Sequence, residues 1–189
     1  PTTVTLTASA DTHIAQTSPT FNYGTSSALD VTGAALSSWE AALIKFDATA
    51  LQAALGSGTL ASARIELTVS STSLGFGNSQ VNVHRMLVPW TEVGATWLCA
   101  NDTSTSGLGL FVNNCASADR WGIEWWSLLP RPYDASPAAT ANVPFGQQGV
   151  VSVDVTQHLN ALGSVTHQGF LVTPAAGFSS VWIRFASRQ

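Results

Sequence analysis

ARIELTVS, residues 63–70, sets Ile65, Leu67 and Val69 against Arg64, Glu66 and Thr68. Successive side chains of a strand point to opposite sides, so this period of two describes a strand with one face in a core and one in water. The alternation recurs in both directions along the chain. TVTLTAS places Val4 and Leu6 between threonines, and VVSVDVTQ sets Val151, Val153 and Val155 against Ser152, Asp154 and Thr156. ALIKFD, GFLVTP and VWIRFAS continue it, and the clusters SPTFNYGTSS, LGFGNS, NALGS and PAAGF separate the runs. Gly, Pro, Asn and Ser concentrate where a chain must turn. Many short strands punctuated in this way predict an all-β fold, an antiparallel β-sandwich of jelly-roll type. ATALQAALGSG is the one expected helix, with Asp47 or Thr49 as its cap and Gly56 as its stop.

A chain of 189 residues predicts a single domain, and no internal repeat divides it. Only 10% of the residues are charged, against about 25% in ordinary globular proteins. A net charge of −4 without any basic cluster argues against nucleic acid and against anionic lipid, both of which call for grouped Lys and Arg. No apolar run approaches the roughly 18 residues of a membrane-spanning helix. Residues 98–148 stand apart as a long, irregular, Trp-rich excursion between strands, and its aromatic content argues against disorder. Cys99 and Cys115 flank a Gly-, Ser-, Thr- and Asn-rich stretch. Such a pair reads as a disulfide in an exported protein, with two buried thiols as the alternative. The chain begins at Pro1 without Met, as expected of a processed or excised segment.

Several segments, in order, resemble a known family. SADTHIAQTSPTFNYGTSSALDVTG is similar to the opening of DNRLRE domains, which carry Ala-Asp-Thr, then Asn-Tyr-Gly, then a Leu-x-Val strand. ALIKFDATAL, ASARIELTVS and VNVHRMLVPWTEVGATW follow in the family's order, and VSVDVTQHL and HQGFLVTP match its late elements. The resemblance, which extends to the alginate-type carbohydrate-binding modules of family 96, implies a secreted, non-catalytic β-sandwich that takes a polysaccharide. It further implies a closing strand after VWIRFASRQ for which residues 1–189 hold no counterpart. The expectation is therefore an open sheet edge near the last strand, filled by another molecule if copies of the chain share strands in an extracellular fibre or adhesive layer.

Candidate residues follow from these readings. Lys45 is the one lysine. Alternation puts it on the face of Leu43 and Asp47, opposite Ala42, Ile44 and Phe46, so the expected place is the outer surface of the sandwich. There it is solvated, or it meets the carboxylate of a uronate; a crosslink to a neighbouring Asp or Asn is the third alternative. Sugar rings carry apolar C–H faces, and an indole offers a flat platform of matching size. Trp39, Trp121, Trp125, Trp126 and Tyr133 lie in loop sequence and are candidates for that role, with Arg85 as a polar partner; a satellite core pinning the long loop is the alternative. Trp90, Trp97 and Trp182 are expected in the core. Asp11, Asp30 and Asp154 sit inside the resemblance and are candidate Ca²⁺ ligands, or else turn caps. Glu92 is expected to accept hydrogen bonds from a turn. The four histidines are scattered and expected to pack at strand edges. No nucleophile elbow, phosphate loop or metalloprotease signature is present, so a non-catalytic chain is expected.

Overall fold

The computed structural model describes residues 2–34, 38–56, 58–72, 79–103, 115–123, 130–162, 166–175 and 180–189. Within them the strands are β1 (Ala10–Ala15), β2 (Ala28–Ala34), β3 (Glu40–Lys45), β4 (Arg64–Thr72), β5 (Ser79–Arg85), β6 (Ala139–Val143), β7 (Gly149–Asp154), β8 (Phe170–Pro174) and β9 (Ser180–Ala186). Two short helices, α1 (Ala48–Leu55) and α2 (Thr156–Ala161), complete the set. All pairings are antiparallel. One sheet runs β1-β3-β8-β5-β6 and the other β2-β9-β4-β7, joined through the pair Thr32 and Glu40. The two pack face to face as a nearly closed sandwich.

The core between the sheets is what the alternation dictates. Ile65, Leu67 and Val69 of β4 meet Leu29, Val31, Ile183, Phe185, Val151 and Val153 from their own sheet. Ala42, Ile44, Phe170, Val172, Val81, Val83, Ala141 and Val143 face them from the other. Helix α1 begins where expected: Asp47 accepts the Ala50 N–H at 2.7 Å, and Gly56 ends the helix at φ 56°.

The structure corrects several expectations. Residues 2–8 carry no strand. Their would-be neighbour β3 stops at Lys45, where the chain turns into α1, and Ser9 makes the last bond to the Lys45 carbonyl. Residues 98–148 are not irregular throughout, since β6 pairs with β5 along its length. ATANV hides this strand because two alanines and an asparagine are weak β formers and only Ala141 and Val143 turn inward. The run VVSVDVTQ ends as a strand at Asp154, whose carboxylate accepts the Thr156 N–H at 2.9 Å and starts α2. Finally, β9 is no edge. It is hydrogen-bonded to β2 on one side and β4 on the other, and the residues after it are held by Asp11 and Glu92.

The largest departure is a second core. The outer face of the β1–β3–β8 region, carrying Ile14, Ala41, Leu43 and Leu171, is roofed by Met86, Trp90, Ala95, Trp97, Trp121 and Ile123. Residues 86–103 and 115–123 thus form a covering layer, and strand β3 is buried on both sides. Three devices hold it down. Cys99 and Cys115 are disulfide-bonded with Cα atoms 6.1 Å apart. The Trp121 indole N–H donates to the carbonyls of Thr96 and Trp97, each at 3.1 Å. Asn22 donates to the carbonyls of Glu92 and Ala95 at 2.7 and 2.8 Å, which joins the Asn-Tyr-Gly element to the Trp-Thr-Glu element.

Candidate ligand-binding face

Among the described residues, the outer face of the β2-β9-β4-β7 sheet has no such roof over its β4 and β7 strands: Glu66, Thr68, Val150 and Ser152 are exposed there. On β9, Ile183 and Phe185 point into the core, so Trp182 and Arg184 must point out; on β2, Leu29 and Val31 leave Asp30 and Thr32 outward. The register sets Asp30 opposite Arg184 and Thr32 opposite Trp182. The four side chains therefore form one patch. Arg184 grips Asp30 through both oxygens, Nε to Oδ1 at 2.7 Å and the terminal nitrogen to Oδ2 at 2.9 Å. That bond raises the guanidinium pKa above its ordinary value. The guanidinium carbon also lies 5.0 Å from the centre of the Trp182 ring. Thr32 donates its hydroxyl to Glu40 at 2.8 Å. His13 borders the patch with its ring stacked on Tyr23 at 4.1 Å and Nδ1 3.2 Å from the Ala28 carbonyl. Burial lowers the His13 pKa, against the pull of Asp30 and Glu40.

Such a patch suits a sugar. The indole supplies an apolar plate for ring C–H groups. A guanidinium has five N–H donors, of which Asp30 takes two, so the remainder can serve hydroxyls. Asp30 fixes the fork in place, so little side-chain entropy is lost on binding.

The residues expected from sequence fall elsewhere. Trp121 is buried at 4% exposure in the covering layer, so it cannot be a platform. Trp39 is half-buried against the same layer. Tyr133 donates its hydroxyl to the Ile123 carbonyl at 3.2 Å and meets His84 edge-on; burial raises its pKa. Trp125 and Trp126 lie outside the described residues. Lys45 is neither free on the surface nor beside a carboxylate: its ammonium lies 4.8 Å from the Trp90 ring centre and donates to the Trp90 carbonyl at 2.6 Å. Its face is covered because the segment carrying Trp90 folds back over it, and burial lowers its pKa. Trp90 and Trp97 are core as expected, whereas Trp182 is not.

Asp11, Asp30 and Asp154 are not brought together, and among the described residues no three His, Cys, Asp or Glu side chains gather as a metal site. Each aspartate accepts other donors: Asp11 the Ser187 hydroxyl and Arg188 N–H, Asp30 the Arg184 fork, Asp154 the Thr156 N–H. Glu92 accepts the Asp11 N–H of β1 and the Arg188 side chain rather than a turn. Arg85 ends β5 on the core-facing side, cross-strand from Phe170, where His158 and His167 lie with ring centres 5.9 Å apart. The histidines are therefore not all scattered.

An antiparallel sandwich with one roofed sheet and a second sheet carrying an indole beside a guanidinium is an architecture that β-sandwich binding modules share. The model of carbohydrate-binding module family 96 matches residues 2–121, nearly two thirds of the chain, and the protein belongs to that family. The match takes in β1 to β5 and the covering layer; Trp182 and Arg184 lie beyond it. Among curated proteins, none matches this chain.

Proposed function

We propose that this carbohydrate-binding module binds a polysaccharide outside the cell, without catalysis, on the outer face of the β2-β9-β4-β7 sheet. The observation that carries the reading is the Trp182, Arg184, Asp30 and Thr32 patch on the sheet opposite the one that residues 86–103 and 115–123 roof. The disulfide supports an oxidising, extracellular setting. Affinity electrophoresis against plant, algal and microbial polysaccharides tests the proposal. Retardation lost in Trp182→Ala and kept in Trp39→Ala is the expected result, and retardation unchanged in Trp182→Ala would sink it.

An acidic polysaccharide such as alginate has one observation in its favour. Lys45 carries three N–H donors and gives one to Trp90, so its half-exposed ammonium can still meet a carboxylate. Binding through Lys45 weakens with added salt and is lost in Lys45→Met; binding through Trp182 is little affected by either. Because the three aspartates are engaged, a chelator is expected to leave binding unchanged. The low charge of the chain favours a second reading, a structural or adhesive subunit, since repeated contacts bury surface where unpaired charge is costly. Sedimentation separates them: long assemblies support the subunit, a monomer at all concentrations the binder.

A further inference from the structure

The end of the sandwich nearest α1 and α2 holds a group of nitrogens that the glycan-binding face does not use. His167 is 6% exposed. Its Nδ1 accepts the Gly169 N–H at 3.0 Å, which fixes the proton on Nε2, and that Nε2–H is buried with no acceptor. The tautomer matters, because Nε2 is thereby a donor and cannot ligate a metal without breaking the Gly169 bond. Gly169 cannot easily give way. It sits at φ 99°, and a side chain there would collide with the Ile44 carbonyl.

Two further nitrogens share the space. The Arg85 Nε–H and the His158 Nε2 are both buried without a hydrogen-bond partner. Phe170 forms a wall, its ring 4.3 Å from His167 and 5.8 Å from His158. Leu159 and Leu162 of the α2 region are buried beside it. Burial, then His158 and Arg85, pull the His167 pKa down to about 4. Burial and Arg85 lower His158 as well, with Asp134 opposing. The Asp134 carbonyl is already taken by His84 at 2.8 Å. Unsatisfied buried donors are rare in native structures and call for an acceptor. Here they cluster around a fixed positive charge, and His167 lines a groove of about 580 Å³ between α1 and the chain before β8.

We propose that Arg85, His158 and His167 form a receptor for a small carboxylate, reached through the groove beside α1. A carboxylate is acceptor-only and planar, and its two oxygens can take the Arg85 Nε–H and the His167 Nε2–H together while offsetting the guanidinium charge. Its source is either a free carboxylic acid or the carboxyl group of a uronic acid.

The test uses the intact chain with its disulfide. Nuclear magnetic resonance follows the His167 ring and the Gly169 amide near neutral pH as acetate is added, with ionic strength held constant by sodium chloride. The expected result is a saturable shift with acetate, weakened at least about tenfold in Arg85→Gln, a variant whose fold is checked by near-ultraviolet circular dichroism. His167→Leu gives a second reading if Arg85→Gln fails to fold, and there too the Gly169 response should vanish. Glucuronate saturating below acetate assigns the site to uronic acids; acetate saturating first assigns it to free small acids. No shift beyond that produced by chloride would mean that water alone fills the space and would overturn the proposal. So would a shift that persists in Arg85→Gln and His167→Leu.

Discussion

The two sheets share one core yet treat their outer faces in opposite ways. Over β1, β3 and β8, the outward residues Ile14, Ala41, Leu43 and Leu171 are apolar, and a layer containing Trp90, Trp97 and Trp121 seals them. Over β2, β9, β4 and β7, the outward residues are Asp30, Thr32, Arg184, Glu66, Thr68 and Ser152, with Trp182 and Val150 as exceptions. The tryptophans of the first face stabilise the fold. The tryptophan of the second face is half-buried beside the Arg184 guanidinium, outside both cores, which makes it the better candidate for a ligand.

The sharpest way to break this contrast is to remove a roof tryptophan. Trp90, 1% exposed, fills the layer over Leu43 and gives its indole N–H to the Gln168 carbonyl at 2.9 Å. Trp90→Ala is expected to lower stability by about 3–5 kcal/mol in urea unfolding. A loss below about 1 kcal/mol would show that the layer is not a true second core. Opening the disulfide loosens the same layer from its far end. With the cysteines 16 positions apart in sequence, Cys99→Ser with Cys115→Ser should cost on the order of 3 kcal/mol. Near-ultraviolet dichroism should report the change in tryptophan packing while the far-ultraviolet strand signal persists.

Lys45→Met should cost less, about 1–2 kcal/mol. It removes a cation–π contact and a charged hydrogen bond, but it also relieves the burial that lowers the lysine pKa. Thermal unfolding beside wild type would measure it, and a stabilised variant would show that desolvation outweighs both contacts. The smallest effect on stability is expected for Trp182→Ala, under about 1 kcal/mol, together with at least a tenfold loss of affinity, about 1.4 kcal/mol. If instead Trp182→Ala unfolds the protein and spares binding, the two faces have been assigned the wrong way round.

Much of the fold was legible because burial imposes its own period. β4, β7 and β9 follow their alternation, β8 is instead buried on both faces, and α1 starts and stops at the residues its capping chemistry names. Alternation tells only which residues share a face, not what lies over that face. Alternation groups Lys45 with Leu43, but nothing local says that the segment carrying Trp90 returns to cover both. The same limit misplaced the tryptophans. Loop sequence suggested exposure for Trp121, which the covering layer buries, and strand sequence suggested burial for Trp182. There the signal was available: with Ile183 and Phe185 inward, a period of two leaves Trp182 and Arg184 outward. Asp30 was singled out as a metal ligand, and only the cross-strand register could pair it with a residue 154 positions away.

The place of β9 has a consequence for how the chain comes into being. The strand at the middle of one sheet is drawn from residues 180–186, and its neighbour β2 from residues 28–34. A ribosome releases them far apart in time. Until β9 emerges, β2 and β4 have no partner between them, and the apolar side of each waits in water. β8 occupies the same position in the other sheet, between β3 and β5. Neither sheet can therefore be assembled as the chain is made; both close only when their late central strands arrive. Such long-range pairing is slow and exposes strand edges meanwhile.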